Sequence, residues 1–290
     1  MLLFAASAVW GAAYMFIRVA FDDGLSFEAI VAIRVVLGAL VLMPVALRHG
    51  ALRGLGAHRG AILLMALLQV VVPFLAIAAG VRWIATGMSG ILMAAEPVLV
   101  VLFAPLILPG ERPGRRALAG IGICLLGVVL LFAADLCHLG GKAIAGGGLI
   151  LLAALSYAVA SLYLKRRLSD QPASGTVAAM MTIGAVLLLP LLAVAPPHHG
   201  VRLLTVLALL ALGLVGTGVS FLWYFELIYI DGPTRAAITA YISPLFAVLY
   251  GVLLLGERFT AVTAAGMALI LGGSWFAAVQ VGADPAHPGA

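Results

Sequence analysis

Glu96 is the residue in this chain best placed to do chemistry. It lies ten residues into an apolar stretch of about 22 and is followed directly by Pro97. A carboxylate at such depth in an apolar helix costs several kcal/mol, roughly, unless it faces a cavity or a partner. The chemistry open to it is the binding of a solute amine or the carriage of a proton. Capping of backbone freed by Pro97, or pairing with Arg34, is the structural alternative. One repeat length further on, Ser243-Pro244 occupies the equivalent place, so only one half of the chain carries the carboxylate. Pro97 and Pro244 each remove a backbone donor inside an apolar run, and each predicts an interrupted helix whose freed carbonyls need a neighbour, water or solute. Arg34 sits about two turns inside its own span, where it can pair internally or meet a solute carboxylate.

A second set of residues has the types that grip an amphipathic small molecule. Trp10 and Tyr14 are four apart and share a helix face, as do Tyr157 and Ser161. Gln69, Trp223 and Tyr241 add polar and aromatic groups on other apolar runs. Each aromatic can equally face lipid or join the interfacial belt. Glu226 is expected near the end of its span, and Glu111 and Glu257, which close two others, are expected to serve structure by hydrogen-bonding neighbouring helix ends.

The elements that position these residues are membrane spans. The chain has 290 residues, 64% apolar and only 9% charged, against roughly 25% charged in a soluble domain. Too few charges remain to coat a soluble body, so lipid must cover most of the surface. Unbroken apolar stretches near 20 residues suit α-helices rather than the alternating strands of a barrel. We place ten helices near residues 1–21, 27–47, 61–81, 86–107, 115–134, 146–165, 173–195, 203–228, 234–255 and 260–281. The first lacks a basic leader and a small-residue cleavage site, and reads as a retained helix rather than a signal peptide.

Net charge +5 does not point to nucleic acid, because most basic residues flank spans. They concentrate in alternate connections: Arg48, Arg53, Arg59, Arg112, Arg115, Arg116, Lys165, Arg166, Arg167 and Arg235 on one side, against Arg82, Lys142, Arg202 and Arg258 on the other. The positive-inside rule then puts both termini in the cytoplasm of a multi-pass protein of the cytoplasmic (inner) membrane. Two cysteines, Cys124 and Cys137, form no disulfide or metal pattern, and all six histidines fall in loops or the tail. No metal, cofactor or nucleotide is expected. No HExxH, GxSxG or P-loop motif is present and no aspartate lies inside a span, which argues against an intramembrane enzyme.

The chain also repeats itself. A shift of 147 residues lays Trp10 on Tyr157, Arg18 on Lys165 and Pro97 on Pro244. A shift of 146 lays Gly38 on Gly184, Pro44 on Pro190, Gly127 on Gly273, and Gly110-Glu111-Arg112 on Gly256-Glu257-Arg258. The expected units are 1–137 and 138–290. Five helices per unit is an odd number, so the second copy is inverted in the bilayer, an arrangement typical of secondary transporters.

Trp10-Gly11, Arg34, Glu96-Pro97 with Gly110-Glu111-Arg112, and Ser243-Pro244 with Gly256-Glu257-Arg258, in that order across nearly the whole chain, resemble the EamA-type branch of the drug/metabolite transporter superfamily. The resemblance implies an all-α membrane protein whose central cavity is lined mainly by helices 1, 3, 4, 6, 8 and 9, with helices 5 and 10 outside. It implies a secondary transporter moving small metabolites outward, with amino acids, including aromatic ones, leading and other metabolites or drugs as the alternative. Its expected partners are a small solute, the bilayer and protons, with one chain sufficient for function. By the same resemblance Arg34 is architectural.

Overall fold

A computed structural model describes residues 2–108, 114–139, 141–194, 200–224 and 239–278. Gly110, Glu111, Arg112, Glu226, Arg235 and the side chains of Asp135 and Cys137 lie outside the described residues.

Among the described residues the protein is helical without strands. α1 spans Leu2–Asp22 and α2 Phe27–Arg48, with Ser26 capping α2 through its hydroxyl, which accepts the Ala29 N–H at 3.2 Å. α3 is the rod Leu55–Val81. Next come α4 (Thr86–Met93), α5 (Glu96–Ile107), α6 (Arg115–Leu139) and α7 (Gly141–Arg167). α8 covers Ala173–Leu188, α9 Leu203–Tyr224, α10 Thr239–Leu255 and α11 Ala261–Ala278. Seven of the described helical stretches are long and apolar enough to cross a membrane, α4 and α5 counting as one, and two shorter apolar helices accompany them. The protein is therefore a multi-span membrane protein. Its outer surface agrees: Leu106, Leu203, Leu253 and Val186 are exposed, as lipid-facing side chains must be.

Tight pairings of helices run through the bundle. α1 packs along α10, α4 along α10, α5 and α3 along α7, α2 along α8 and α9, and α6 along α11. Glycine permits several of these approaches. A Cβ on Gly273 would lie 2.5 Å from the Cys124 nitrogen, and one on Gly127 would lie 2.8 Å from Ile270. Small residues let membrane helices pack backbone to backbone, where dispersion rather than water exclusion holds them.

Two departures from a plain α-helix sit inside α3 and α9. Leu67–Val71 and Ala211–Val219 are wound as π-helix. In α3 the cause is visible: with Val72 N–H bonded to the Leu67 carbonyl, the next donor in the ladder would be residue 73, which is proline. The Leu68 carbonyl is met instead by the Ser156 hydroxyl at 2.6 Å from α7.

Candidate functional site

The described helix carrying Glu96 is interrupted, as Pro97 led us to expect. α4 stops at Met93 and α5 starts at Glu96. Between them the ladder tightens: Ala94 N–H donates to the Ile91 carbonyl and Ala95 N–H to Leu92, both at 3.1 Å. The Ala94 carbonyl is satisfied from another helix, by the Ser274 hydroxyl of α11 at 2.7 Å. Pro244 behaves differently. It lies inside a continuous α10, so the expected pair of interrupted helices reduces to one.

Glu96 itself is half-buried and makes no hydrogen bond or ion pair within the described residues. Tyr14, Tyr157, Tyr224 and Tyr241 all stand near enough to feel its charge. Four helices, α1, α7, α9 and α10, thus each bring a phenol to the neighbourhood of one carboxylate.

Trp10 is fixed firmly. Its Nε1–H donates to Ser220 Oγ at 2.9 Å, and its ring lies 5.1 Å from Tyr224 and 6.1 Å edge-on from Phe221. Tyr14, on the same face of α1, is only 7% exposed. Trp223, expected in this group, is half-buried and makes no described ring contact; the adjacent Tyr224 is the ring against Trp10. Tyr241 is tied back to α11, its hydroxyl donating to the Ser274 carbonyl at 3.2 Å while its ring meets Trp275 edge-on. Tyr157 is half-buried. Ser161, one turn on, is exposed and returns its hydroxyl to the Ala158 carbonyl at 2.9 Å. Gln69 is half-buried within the π stretch of α3, and Ser243 is half-buried beside the buried Pro244.

Arg34 pairs with no carboxylate in the described residues. It is 6% exposed, donates Nε–H to Thr217 Oγ1 at 2.8 Å, and lies with Cζ 3.9 Å over the Phe74 ring. Thr217 donates its own hydroxyl to the Leu212 carbonyl at 2.9 Å, five residues back in the π stretch of α9. The arginine therefore joins α2, α3 and α9.

Glu257 fulfils its structural expectation. Its Oε1 accepts the Thr86 N–H at 2.6 Å and Oγ1–H at 2.8 Å, and its Oε2 accepts the Gly87 N–H at 3.0 Å. This is a carboxylate cap on the first turn of α4, supplied from beyond α10. Gly256, at φ +66°, ends α10 in the left-handed conformation, and the Glu257 N–H returns to the Gly251 carbonyl at 2.9 Å. On the same side of the bundle Asp23 ties the α1–α2 turn to the start of α9. It accepts the Arg202 N–H at 2.9 Å and the Thr205 hydroxyl at 2.7 Å, and pairs with Arg202 Nε at 3.1 Å. The Arg202 N–H first, and the Thr205 hydroxyl second, hold the Asp23 carboxyl below its ordinary range.

Sequence reasoning missed Ser220, Thr217, Phe74, Tyr224, Ser156 and Ser274. Their partners sit as many as 210 residues away, so only Pro73, breaking an apolar run, offered a local signal.

A bundle of membrane helices, with a carboxylate at a helix interruption that has no partner among the described residues, has the form of a solute-handling membrane protein. Comparison with known proteins gives the family: the chain belongs to the EamA-like transporter family, whose profile matches residues 1–133 and again 144–279. This is a family of transporters, not enzymes. The "Uncharacterized inner membrane transporter YedA" of Escherichia coli K12 is 27% identical over 268 residues, 90% of this chain and 84% of its own. A "Probable amino-acid metabolite efflux pump" of Salmonella typhimurium is 26% identical over 199 residues, 64% of this chain and 65% of its own. An "Uncharacterized transporter" of Archaeoglobus fulgidus is 24% identical over 66% of this chain and 67% of its own. A solved crystal structure superposes with a TM-score of 0.69 at 21% identity over 96% of each chain, a likeness of fold.

Proposed function

We propose that this transporter is an alternating-access carrier that moves small metabolites, foremost amino acids including aromatic ones, outward across the cytoplasmic membrane. The observation that carries the reading is Glu96: a carboxylate at a helix interruption, without a protein partner in the described residues, with tyrosines of four helices about it. Such a group is kept inside a membrane for a solute or a proton. The Salmonella relative's name points to amino-acid metabolites for that protein, and the aromatic surroundings of Glu96 suit the same class here.

The architecture under this reading is ten transmembrane helices in two inverted units, 1–137 and 138–290, with both termini cytoplasmic and one chain sufficient. Contacts related by the repeat support it. Gly38 on α2 faces Thr217 on α9, and Gly184 on α8 faces Val70 on α3; both members shift by 146 or 147 residues. Gly127 faces Gly266 and Ile270, while Gly273 faces Gly120 and Cys124, again the same contact in mirror form. Mirrored halves supply two near-equivalent packings, which is what alternating access needs.

Uptake and counterflow in proteoliposomes with tryptophan, phenylalanine, threonine and lysine test the substrate class. Saturable, mutually competed flux is expected. Its absence from folded, inserted protein removes amino acids and turns the search to other metabolites and drugs. Cysteine accessibility at positions 23 and 166 tests orientation: position 23 should label from outside intact cells, and labelling of position 166 from that side overturns it.

A further inference from the structure

Asp23 and Asp170 occupy the same place in the two units. A shift of 147 residues lays one on the other. Each stands in the turn just after a long helix, Asp23 after α1 and Asp170 after α7. Their settings differ. The Asp23 side chain is 8% exposed and is bound at the start of α9: it accepts the Arg202 N–H at 2.9 Å and the Thr205 hydroxyl at 2.7 Å, and it pairs with Arg202 Nε at 3.1 Å. Thr205 is buried under it. Asp170 is exposed, and its hydrogen bond in the described residues comes from the adjacent Ser169 hydroxyl at 3.4 Å.

The mates of the Asp23 donors lie at the start of α3. The shift of 147 that lays Val70 on Thr217 also lays Leu55 on Arg202 and His58 on Thr205. His58 is half-buried, and Arg59 beside it is exposed. No hydrogen bond or ion pair joins Asp170 to either of them in the described residues. Helix packing differs in the same sense. The start of α9 lies chiefly along α1, whereas the start of α3 lies chiefly along α8 and touches α7 only lightly. Two inverted units with matching parts thus tie one end of the bundle and leave the other end untied. A tie that crosses between units must break before they can part at that end, and the equivalent contact at the opposite end is then free to form.

We infer that Asp23, with Arg202 and Thr205, is a clasp on the outer end of the carrier, and that Asp170 makes the matching clasp with the start of α3 at His58 when the outer one opens. The inference rests on the carrier reading and orientation above. It adds the polar contacts that exchange between the two states, and it makes the conformation described here the one closed to the outside.

The test is cross-linking in the bilayer, which needs no solute. Full-length protein with Cys124→Ala and Cys137→Ala receives His58→Cys and Asp170→Cys, is reconstituted in proteoliposomes and is oxidised with copper phenanthroline; bridging is scored by loss of free thiol. With the outer clasp whole, bridging should be slow. Asp23→Asn should speed it at least about fivefold, the population shift set by the loss of one charge-assisted hydrogen bond. Thr205→Val removes a single donor, should speed bridging less, and serves where Asp23→Asn fails to fold. Asp22→Asn, one residue away and outside the clasp, should leave the rate unchanged. A rate that neither Asp23→Asn nor Thr205→Val alters, or that Asp22→Asn raises equally, overturns the inference. Fast bridging with the outer clasp whole, or no bridging in any variant, overturns it as well. Flux of amino acids and labelling at positions 23 and 166 judge the carrier and its orientation separately: bridging that answers to Asp23 without such flux keeps the clasp and removes the substrate class.

Discussion

Removing the Glu257 carboxylate should cost this protein about 3 kcal/mol, and the figure can be built bond by bond. Three donors end on the carboxylate, the Thr86 N–H, the Thr86 hydroxyl and the Gly87 N–H, at 2.6, 2.8 and 3.0 Å. Hydrogen bonds to a charged group contribute roughly 1.5–3 kcal/mol each in a dry site. Here the acceptor is half-buried and water can take over part of its role, which lowers the contribution below that range to about 1 kcal/mol per bond. The favourable placement of a negative charge at the α4 N-terminus is included in that sum. Thr86→Val removes only the hydroxyl and should cost about 1 kcal/mol. Gly251→Ala is the sharper probe, since a Cβ there would occupy the position of the Glu257 carboxylate. It should cost nearly as much as Glu257→Ala alone. In the double variant the carboxylate is already gone, so adding Gly251→Ala should cost no more than about 1 kcal/mol further, a strongly non-additive cycle. Unfolding free energies in detergent or bilayer measure all four. Glu257→Ala within about 0.5 kcal/mol of the parent, or additive costs in the double variant, would refute the capping argument.

Glu96→Gln keeps the shape of the side chain and removes its charge; flux that matches the parent across a pH series would show that Glu96 neither anchors an amine nor carries a proton. Asp23 sets a second pH dependence. Its folded-state carboxyl titrates below the ordinary value of 3.8, so the contribution is complete above that value and is lost as pH falls through the lower folded value. Stability should thus be insensitive to Asp23 titration near neutrality and fall in strong acid, and Asp23→Asn should remove that acid-range component. Ser274→Ala should cost about 1–3 kcal/mol, because the Ala94 carbonyl loses its donor in a dry site. Gly273→Ala should cost about 1–3 kcal/mol through its backbone clash with α6, while Gly272→Ala, where a Cβ meets nothing within 4 Å, should stay within about 0.5 kcal/mol of the parent; thermal unfolding separates the two.

The spans were legible because membrane helices announce themselves by length and apolarity alone. Expected starts at 27, 86, 115 and 203 coincide with Phe27, Thr86, Arg115 and Leu203. The start expected at 146 falls at Gly141, since Lys142 can extend its charge outward from a helix that continues past the apolar core. The π stretches of α3 and α9 were not legible, because winding depends on which neighbour meets the displaced carbonyl. Of the site, Glu96 and the break before Pro97 could be read from residue type and depth. The setting of Arg34 could not. Its partners Thr217 and Phe74 are ordinary residues on other helices, and nothing in the local sequence says that they meet it. Trp223 and Tyr224 show the limit of face assignment: one residue of rotation decided which ring reaches Trp10.

The unequal behaviour of the two prolines has a physical cause that bears on function. Breaking a helix in a membrane requires donors for the carbonyls released. At Pro97 the Ala94 carbonyl receives the Ser274 hydroxyl from α11. The repeat shift of 146 that matches Gly273 to Gly127 matches Ser274 to Val128, which has no donor to offer. Around Pro244 the sequence therefore lacks the means to stabilise an interruption, and α10 runs through unbroken. The donor is lent by the second unit to the break in the first, and it is there that Glu96, rather than Ser243, follows the break. An interruption turns the next residue out of a continuous hydrogen-bond ladder, and a carboxylate placed there gains freedom to meet a ligand while the chain on either side stays helical. Divergence at two positions, Ser274 against Val128 and Glu96 against Ser243, is enough to convert a symmetric scaffold into one with a single charged site. Placing at position 274 the valine of its repeat partner should therefore do more than destabilise: it should impair solute binding through the placement of Glu96, with the loss visible in affinity for an amine such as phenethylamine even where the variant remains folded. Unchanged phenethylamine affinity in a folded Ser274→Val protein would separate the break from the site and sink this account.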